Sequence, residues 1–436
     1  MYLAILRNKL DEFRKGVWRA TVVRSGMLTV MFLLALLVVL VLVVRQRGTG
    51  HLTKIKAELH PKAEAPPVTT AQPGGQDPVV LQRFPTAGGS VPEFLSATLL
   101  PGRGMNVLQI TASLPDKGDV QLLASPSLDD AAKAMSGIGQ DANGAASLQM
   151  GAAIELPWAG RMGGVAASGP TRTMANWHGK SLGLPVYSGI PGEQDGAVGG
   201  MLLRLGADSV KTNVMPDGGD VMSTFTAGDF GGHWPSHTDV STTILLSSRH
   251  MEITVTARNA GTEPQPFGIG WYPRFMFPGG DRKRVLLHLP NAEREETRAD
   301  GSGLPTGRLL EVAGTAYDFT AHGGMPLGSM TLNENFVHLK AGLLDNGPFA
   351  ELRDPGNDFG LRITALSPTI KAMRVTAPAG QPYISIQPQF NVDDPLGHEW
   401  AADSDTGMVV LQPGESVQWK VRLEIFSLSA QISGRL

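Results

Sequence analysis

The sequence predicts an all-β fold, one large antiparallel β-sandwich, and three observations carry that prediction. The 436 residues include 53 glycines and 31 prolines, a composition that favours many short strands and tight turns over long helices. Short runs in which apolar and polar residues alternate recur from residue 106 to residue 425, and such a period places alternate side chains on opposite faces of a sheet. Gly, Pro, Asn and Asp stand at the joints, as in residues 258–264 and 412–415, where a strand must reverse.

The chain opens on a basic segment, residues 1–24. Arg7, Lys9, Arg14, Lys15, Arg19 and Arg24 outnumber Asp11 and Glu12 and alternate with Leu10, Phe13, Val17 and Trp18. This pattern suits an amphipathic helix on anionic headgroups, or an unstructured cytoplasmic tail. Residues 25–44 carry no charge and are dominated by Leu and Val, long enough for one helix across a hydrocarbon core of roughly 30 Å. Arg45 and Arg47 follow at once where a cleavage site would need small residues, so the span reads as an uncleaved anchor. The excess of basic residues before it favours a cytoplasmic N-terminus in the inner membrane and a periplasmic C-terminal domain. Residues 45–90 are rich in Pro, Gly, Ala and Gln without a sustained hydrophobic period, which predicts a flexible tether.

From residue 91 to 436 the sequence reads as a single domain. Its strand-like runs are 106–113, 241–247, 251–257, 285–289, 359–364, 373–376, 408–411 and 417–425, and only residues 128–146 look locally helical. A formal net charge of -3 gives no reason to expect nucleic acid as a partner. The lack of cysteine excludes disulfides and thiolate metal sites. His233 and His237 have a metal-like spacing, but Pro235 prevents the helix that would bring both imidazoles to one face, so no metal or cofactor is expected.

Four segments set large polar or ionisable side chains among aromatics, Gly and Pro: residues 156–161, 176–179, 270–275 and 382–390. The last reads as a buried strand ended by Pro388, with Gln387 directed into whatever cleft the sheet forms. Such groups suit a polar, flat-faced ligand.

Taken in order, these segments resemble the aldose 1-epimerase (galactose mutarotase-like) family over roughly residues 95–430. Pro157-Trp-Ala-Gly-Arg161 is similar to the family's Pro-x-(Asn/Gly)-Arg, and Trp177-His178-Gly179 to its Leu-His-Gly. Residues 251–275 follow the strand, Asn-x-Gly turn and strand that end at a His-Pro-Tyr-Phe-like motif, here Trp271-Tyr272-Pro-Arg-Phe275. Pro305-Thr-Gly307 and Thr315-Ala-Tyr-Asp318-Phe319 resemble Pro-Thr-Gly and Thr-x-x-Asp-Phe, while Ile386-Gln387-Pro388-Gln389 resembles Ile-Glu-Pro-Gln. Residues 411–416 match its Leu-x-Pro-Gly-Glu strand. The resemblance implies the family's β-supersandwich with a sugar-binding cleft.

Interconverting sugar anomers needs a base for the C1 hydroxyl proton and an acid for the ring oxygen. The resemblance places the base at Gln387 and the acid at Tyr272, both substituted for the family's Glu and His. Arg161, His178 and its neighbour Trp177 become expected sugar contacts, with Asn333 at the position of the sugar-binding Asp. An amide cannot accept a proton near neutral pH, and loss of one general base typically costs a factor of roughly 10² to 10⁴. Asp318 is expected to be a turn carboxylate. Asp393 and Asp394 are expected either to supply a displaced base or to end their strand as solvated turn residues. The functional expectation is a membrane-anchored carbohydrate-binding protein with weak or no mutarotase activity, whose partners are a sugar and, through residues 25–44, the lipid bilayer. Two alternatives stand beside it: an active epimerase pairing Tyr272 with Asp393, Asp394 or Glu334, and an assembly subunit of an envelope membrane complex.

Overall fold

The structure is a computed structural model that describes residues 71–86, 89–166, 172–290, 293–343 and 345–433. The basic segment 1–24, the apolar run 25–44 and the linker as far as residue 70 lie outside the described residues. Among the described residues no helix is long and apolar enough to cross a membrane.

Two large antiparallel sheets form the body of the domain, with three small sheets of two or three strands beside them among the described residues. The first has 12 strands, running across its width as Val79–Gln82, Glu93–Leu100, Asn106–Leu114, Ala152–Glu155, Gly270–Pro273, Tyr383–Gln389, Ala372–Ala377, Leu332–Val337, Glu293–Thr297 and Pro305–Glu311, with two short strands joining from the side. The second has nine, with Gly218–Gly228, Thr238–Leu246, His250–Asn259, Ser416–Phe426 and Phe359–Ala365 adjacent near its middle. Alternation decides which side chains enter the core. Val221 and Phe225, Val240 and Ile244, then Met251, Ile253, Val255 and Ala257 point inward, and Trp419 lies opposite Val255 with Val421 and Leu423 beyond it. Each such side chain withdrawn from water stabilises the sandwich by about 1.5–3 kcal/mol before entropy is counted.

The C-terminal part of the expected tether, residues 45–90, contains a strand of the folded domain. Val79–Gln82 pairs with Glu93–Leu100 at the edge of the first sheet, and Leu81 is buried in the core. Arg83 then donates to Glu93 across 3.0 Å with both side chains buried, which fixes the strand's end. The segment lacked a sustained hydrophobic period because a four-residue edge strand is too short to show one. The helical region is also broken: Leu128–Ala134 and Ala145–Gln149 are separated by a turn, with left-handed backbone at Gly137, Gly139 and Gly144 interrupting any continuous helix.

Tyr383–Gln389 occupies the middle of the first sheet, and all seven of its residues are buried. One face, Ile384 and Ile386, joins the sandwich core. The other face is covered by residues 156–163 crossing the sheet. That crossing requires Gly270: a Cβ there would lie 2.5 Å from the Ala159 Cβ.

Candidate functional site

The crossing segment is held by the chain that leaves the central strand. Ala159 N donates to Asn391 Oδ1 (3.1 Å) and Asn391 Nδ2 returns a bond to Ala159 O (2.8 Å). Arg161 N donates to Asp393 Oδ1 (2.9 Å), Asp394 N to Arg161 O (2.7 Å), and Gly163 N to Asp394 Oδ1 (2.8 Å). Neither aspartate is the solvated turn residue that the sequence suggested: both are about nineteen-twentieths buried. Burial, with Glu399 beside it adding like charge, pushes Asp394 up to about 7.

Sheet register then lines up polar side chains on the covered face. Asn335, Arg374 and Gln387 are cross-strand neighbours, as are Asn333, Thr376 and Ser385. Arg374 sits two strand positions from Thr376 on an otherwise apolar strand, and its side chain is buried, so its guanidinium finds its partners within the fold. It donates from Nη1 to both Asp393 oxygens (2.8 and 2.7 Å) and from Nη2 to Glu193 Oε2 (2.8 Å) and Asn333 Oδ1 (2.7 Å). Burial opposes that charge, but Asp393 and Glu193 outweigh it and hold the Arg374 pKa above its usual value. Arg161 Nη2 meets the same Glu193 oxygen at 2.9 Å, with the Arg161 side chain 1% and the Glu193 side chain 2% exposed.

The expected base position is occupied otherwise. Gln387 Nε2 donates to Glu155 Oε2, which also accepts from Gly160 N at 3.0 Å. Burial pushes Glu155 up to about 8, so it is protonated and neutral at neutral pH. Burial, and next the Asp393 charge, likewise raises Glu295 well above the ordinary carboxylate range. The cluster is therefore balanced: two guanidiniums, Arg161 and Arg374, against the paired carboxylates of Glu193 and Asp393.

Tyr272, at the acid position, is 2% exposed, and its hydroxyl has no hydrogen-bond partner among the described residues. Burial, and then the Glu193 charge, raises its pKa above the phenol value. Arg274 lies 5.4 Å from the Tyr272 ring and 5.5 Å from that of Tyr383, a cation–π sandwich beside the cluster.

Arg161, Asn333 and Gln387 are thus brought into one polar cluster, with Tyr272 beside it, and two expected contacts are placed elsewhere. His178 is at the exposed tip of the hairpin between Arg172–Trp177 and Lys180–Pro185, where it and Gly179 both have positive φ. Trp177 is buried in the sandwich core, 4.5 Å from the His178 ring. The Trp-His-Gly triplet makes a tight turn here, apart from the polar cluster. Glu334, one residue from Asn333, alternates away from it along the strand; it contributes to the wall of a cavity beside the cluster, but its carboxylate is paired with Arg294 at 2.7 Å. Between His233 and His237, Trp234 stacks on Trp158 at 5.8 Å, a packing role for that segment. Asp318 accepts from Gly314 N and Thr320 N, as a turn carboxylate does.

A cavity of about 170 Å³ opens beside the cluster, walled by Gln194, Thr297, Asn333, Asn335, Arg374 and Asp393. A larger groove of about 690 Å³, walled by Leu309, Val337, Ile370, Val392 and Trp400, has none of Asn333, Arg374 or Asp393 in its wall, whereas all three line the smaller one; Arg161, Tyr272 and Gln387 line neither. The smaller, polar cavity is therefore the candidate site. Sequence reasoning missed Glu155, Glu193 and Arg374. An arginine inside the apolar run 373–376 was a usable signal; Glu193, in a Gly-rich loop 181 residues from Arg374, offered none.

The family model for aldose 1-epimerase matches residues 209–424, which include Tyr272, Asn333, Arg374 and Gln387 but begin after Arg161 and Glu193. Solved structures agree in fold. A galactose mutarotase-like protein from Clostridium acetobutylicum is 16% identical with a TM-score of 0.62, over 80% of this chain and 98% of that one. An aldose epimerase homologue from C. elegans is 15% identical with a TM-score of 0.57, over 76% and 95%. A galactose 1-epimerase from Lactobacillus acidophilus is 16% identical with a TM-score of 0.54, over 80% and 98%.

Proposed function

The chain belongs to the aldose 1-epimerase family, and from that premise we propose that it binds a carbohydrate without interconverting its anomers. The apolar run 25–44 anchors it to the inner membrane, with the sandwich on the periplasmic side. Ring opening needs one group that accepts a proton and one that gives it, poised across the sugar. The observation that carries the proposal is the Gln387–Glu155 pair: an amide that cannot accept a proton is hydrogen-bonded to a carboxyl that burial already keeps protonated. Tyr272 is a poorer acid than a free phenol. The carboxylates that could replace the base are committed: Asp393 to Arg374, Asp394 to Gly163 N, and Glu334 to Arg294.

Binding survives those losses. Asn333, Asn335, Gln194 and Arg374 present amide and guanidinium groups to the cavity, and sugar hydroxyls pair with such groups. Saturation-transfer NMR of a panel of pyranoses with the full-length protein tests this. At least one sugar should receive saturation, and Asn333→Ala should weaken it. A panel in which no sugar responds would refute the proposal.

A further inference from the structure

Residues 188–195 form a loop whose ends are pinned by a two-way backbone bridge, Tyr187 N to Gly196 O at 2.8 Å and Gly196 N to Tyr187 O at 3.0 Å. Pro191, Gly192, Gln194 and Asp195 are exposed, yet two side chains between the pins turn inward. Ile190 is buried in a cluster with Tyr272 and Tyr187, and Glu193 reaches the two buried guanidiniums. Gly192 lies against the strand beneath: its O accepts from Asn333 Nδ2 (2.9 Å), and a Cβ there would meet Thr376 at 2.8 Å. The loop thus covers the polar face of the central strands. Under and beside it, the hydroxyls of Tyr272, Thr376, Tyr383 and Ser385 are buried without a hydrogen-bond partner among the described residues. Buried hydroxyls are ordinarily paired with protein or water, and four on one covered face offer hydrogen bonds to a hydroxyl-rich ligand once the cover is withdrawn.

We propose that residues 188–195 are a lid whose Glu193 carboxylate stands where a ligand's own carboxylate binds, so that the site selects an acidic sugar, a uronate, over its neutral counterpart. This rests on the carbohydrate-binding reading and adds the ligand's charge to it. Charge balance drives the exchange. With Glu193 withdrawn, Arg161 and Arg374 face Asp393 alone, one buried cation remains uncompensated, and a monoanion restores the balance. A carboxylate supplies that single charge and accepts from both Nη2 groups, as the Glu193 Oε2 atom does at 2.9 and 2.8 Å. A phosphate dianion would overshoot it. The sugar's hydroxyls then meet Thr376, Ser385 and the two tyrosines.

Affinities of the full-length protein and of its Glu193→Ala and Glu193→Gln variants for glucuronate, galacturonate, glucose and galactose test the proposal by titration calorimetry. Removing the internal carboxylate should raise uronate affinity at least tenfold over the unaltered protein, and the variant should prefer the uronate to the neutral sugar by at least tenfold. Equal affinity for acidic and neutral sugars would overturn the lid inference and leave carbohydrate binding intact; binding of neither sugar type by any form would overturn both. Hydrogen exchange of the unaltered protein needs no variant to fold. Saturating glucuronate, and not glucose, should speed exchange in residues 188–195, and unchanged exchange there would equally overturn the proposal.

Discussion

Replacing Glu155 by Gln should flatten the pH dependence of stability without weakening the fold at acid pH. Burial moves the Glu155 pKa from 4.5 to about 8 on folding. Between those values the folded chain keeps a proton that the unfolded chain has released, so stability falls as pH rises through the window. One group contributes a slope of about 1.4 kcal/mol per pH unit, or roughly 3 kcal/mol between about pH 5.5 and pH 7.5. That is a visible share of a typical domain stability of about 5–15 kcal/mol. The substitution preserves shape, and its carbonyl oxygen can still accept from Gly160 N and Gln387 Nε2 as Glu155 Oε2 does. Asp394 and Glu295 titrate with the same sign in both proteins, so the difference between the two curves isolates Glu155. Urea midpoints at several pH values supply the assay. The variant should be within about 1 kcal/mol of the parent near pH 5 and clearly more stable at pH 8. Superimposable slopes would refute a buried, protonated Glu155, and with it the argument that no base faces the cleft.

Arg374→Met should destabilise the domain by roughly 3–5 kcal/mol, because Asp393 and Glu193 then lie buried with one shared cation fewer; a urea midpoint close to the parent's would contradict the charge balance. A fragment starting at residue 91 should unfold at lower urea than one starting at residue 71, since it loses the Val79–Gln82 edge strand and leaves Glu93 buried without Arg83. Gly270→Ala should cost about 1–3 kcal/mol by forcing Ala159 off the central strands, and it should weaken sugar binding as well, because Ala159 and Arg161 share one segment.

Much of this was legible in the sequence, for physical reasons that differ by element. The sandwich shows in runs such as 251–257 because one buried face imposes a period of two, and residues 386–389 stand out because a strand covered on both faces is uniformly buried. The short strand Val79–Gln82 is too brief for its period to rise above the surrounding Pro and Gly. The position of His178 apart from the cluster was not legible because a Trp-His-Gly triplet serves a tight turn as readily as a site: His and Gly both tolerate the left-handed backbone found there. Asp393 and Asp394 looked like turn residues in isolation, and what buries them is the 156–163 segment, which lies 232 residues away along the chain at the Arg161–Asp393 bond. Gln387 stood out in the sequence as a polar residue in a buried strand, while its partner Glu155 could be found only from sheet register, through Gly270. Charges whose worth depends on a distant partner are the part that local pattern does not encode.

The absence of anomer interconversion is the central claim, and it is tested most directly by the rate at which freshly dissolved α-glucose and α-galactose equilibrate in the presence of the full-length protein, followed by NMR. The Gln387–Glu155 pair and the raised pKa of Tyr272 predict the buffer rate at every protein concentration. A rate that rises in proportion to protein concentration would contradict the account and place a working acid and base within the cleft.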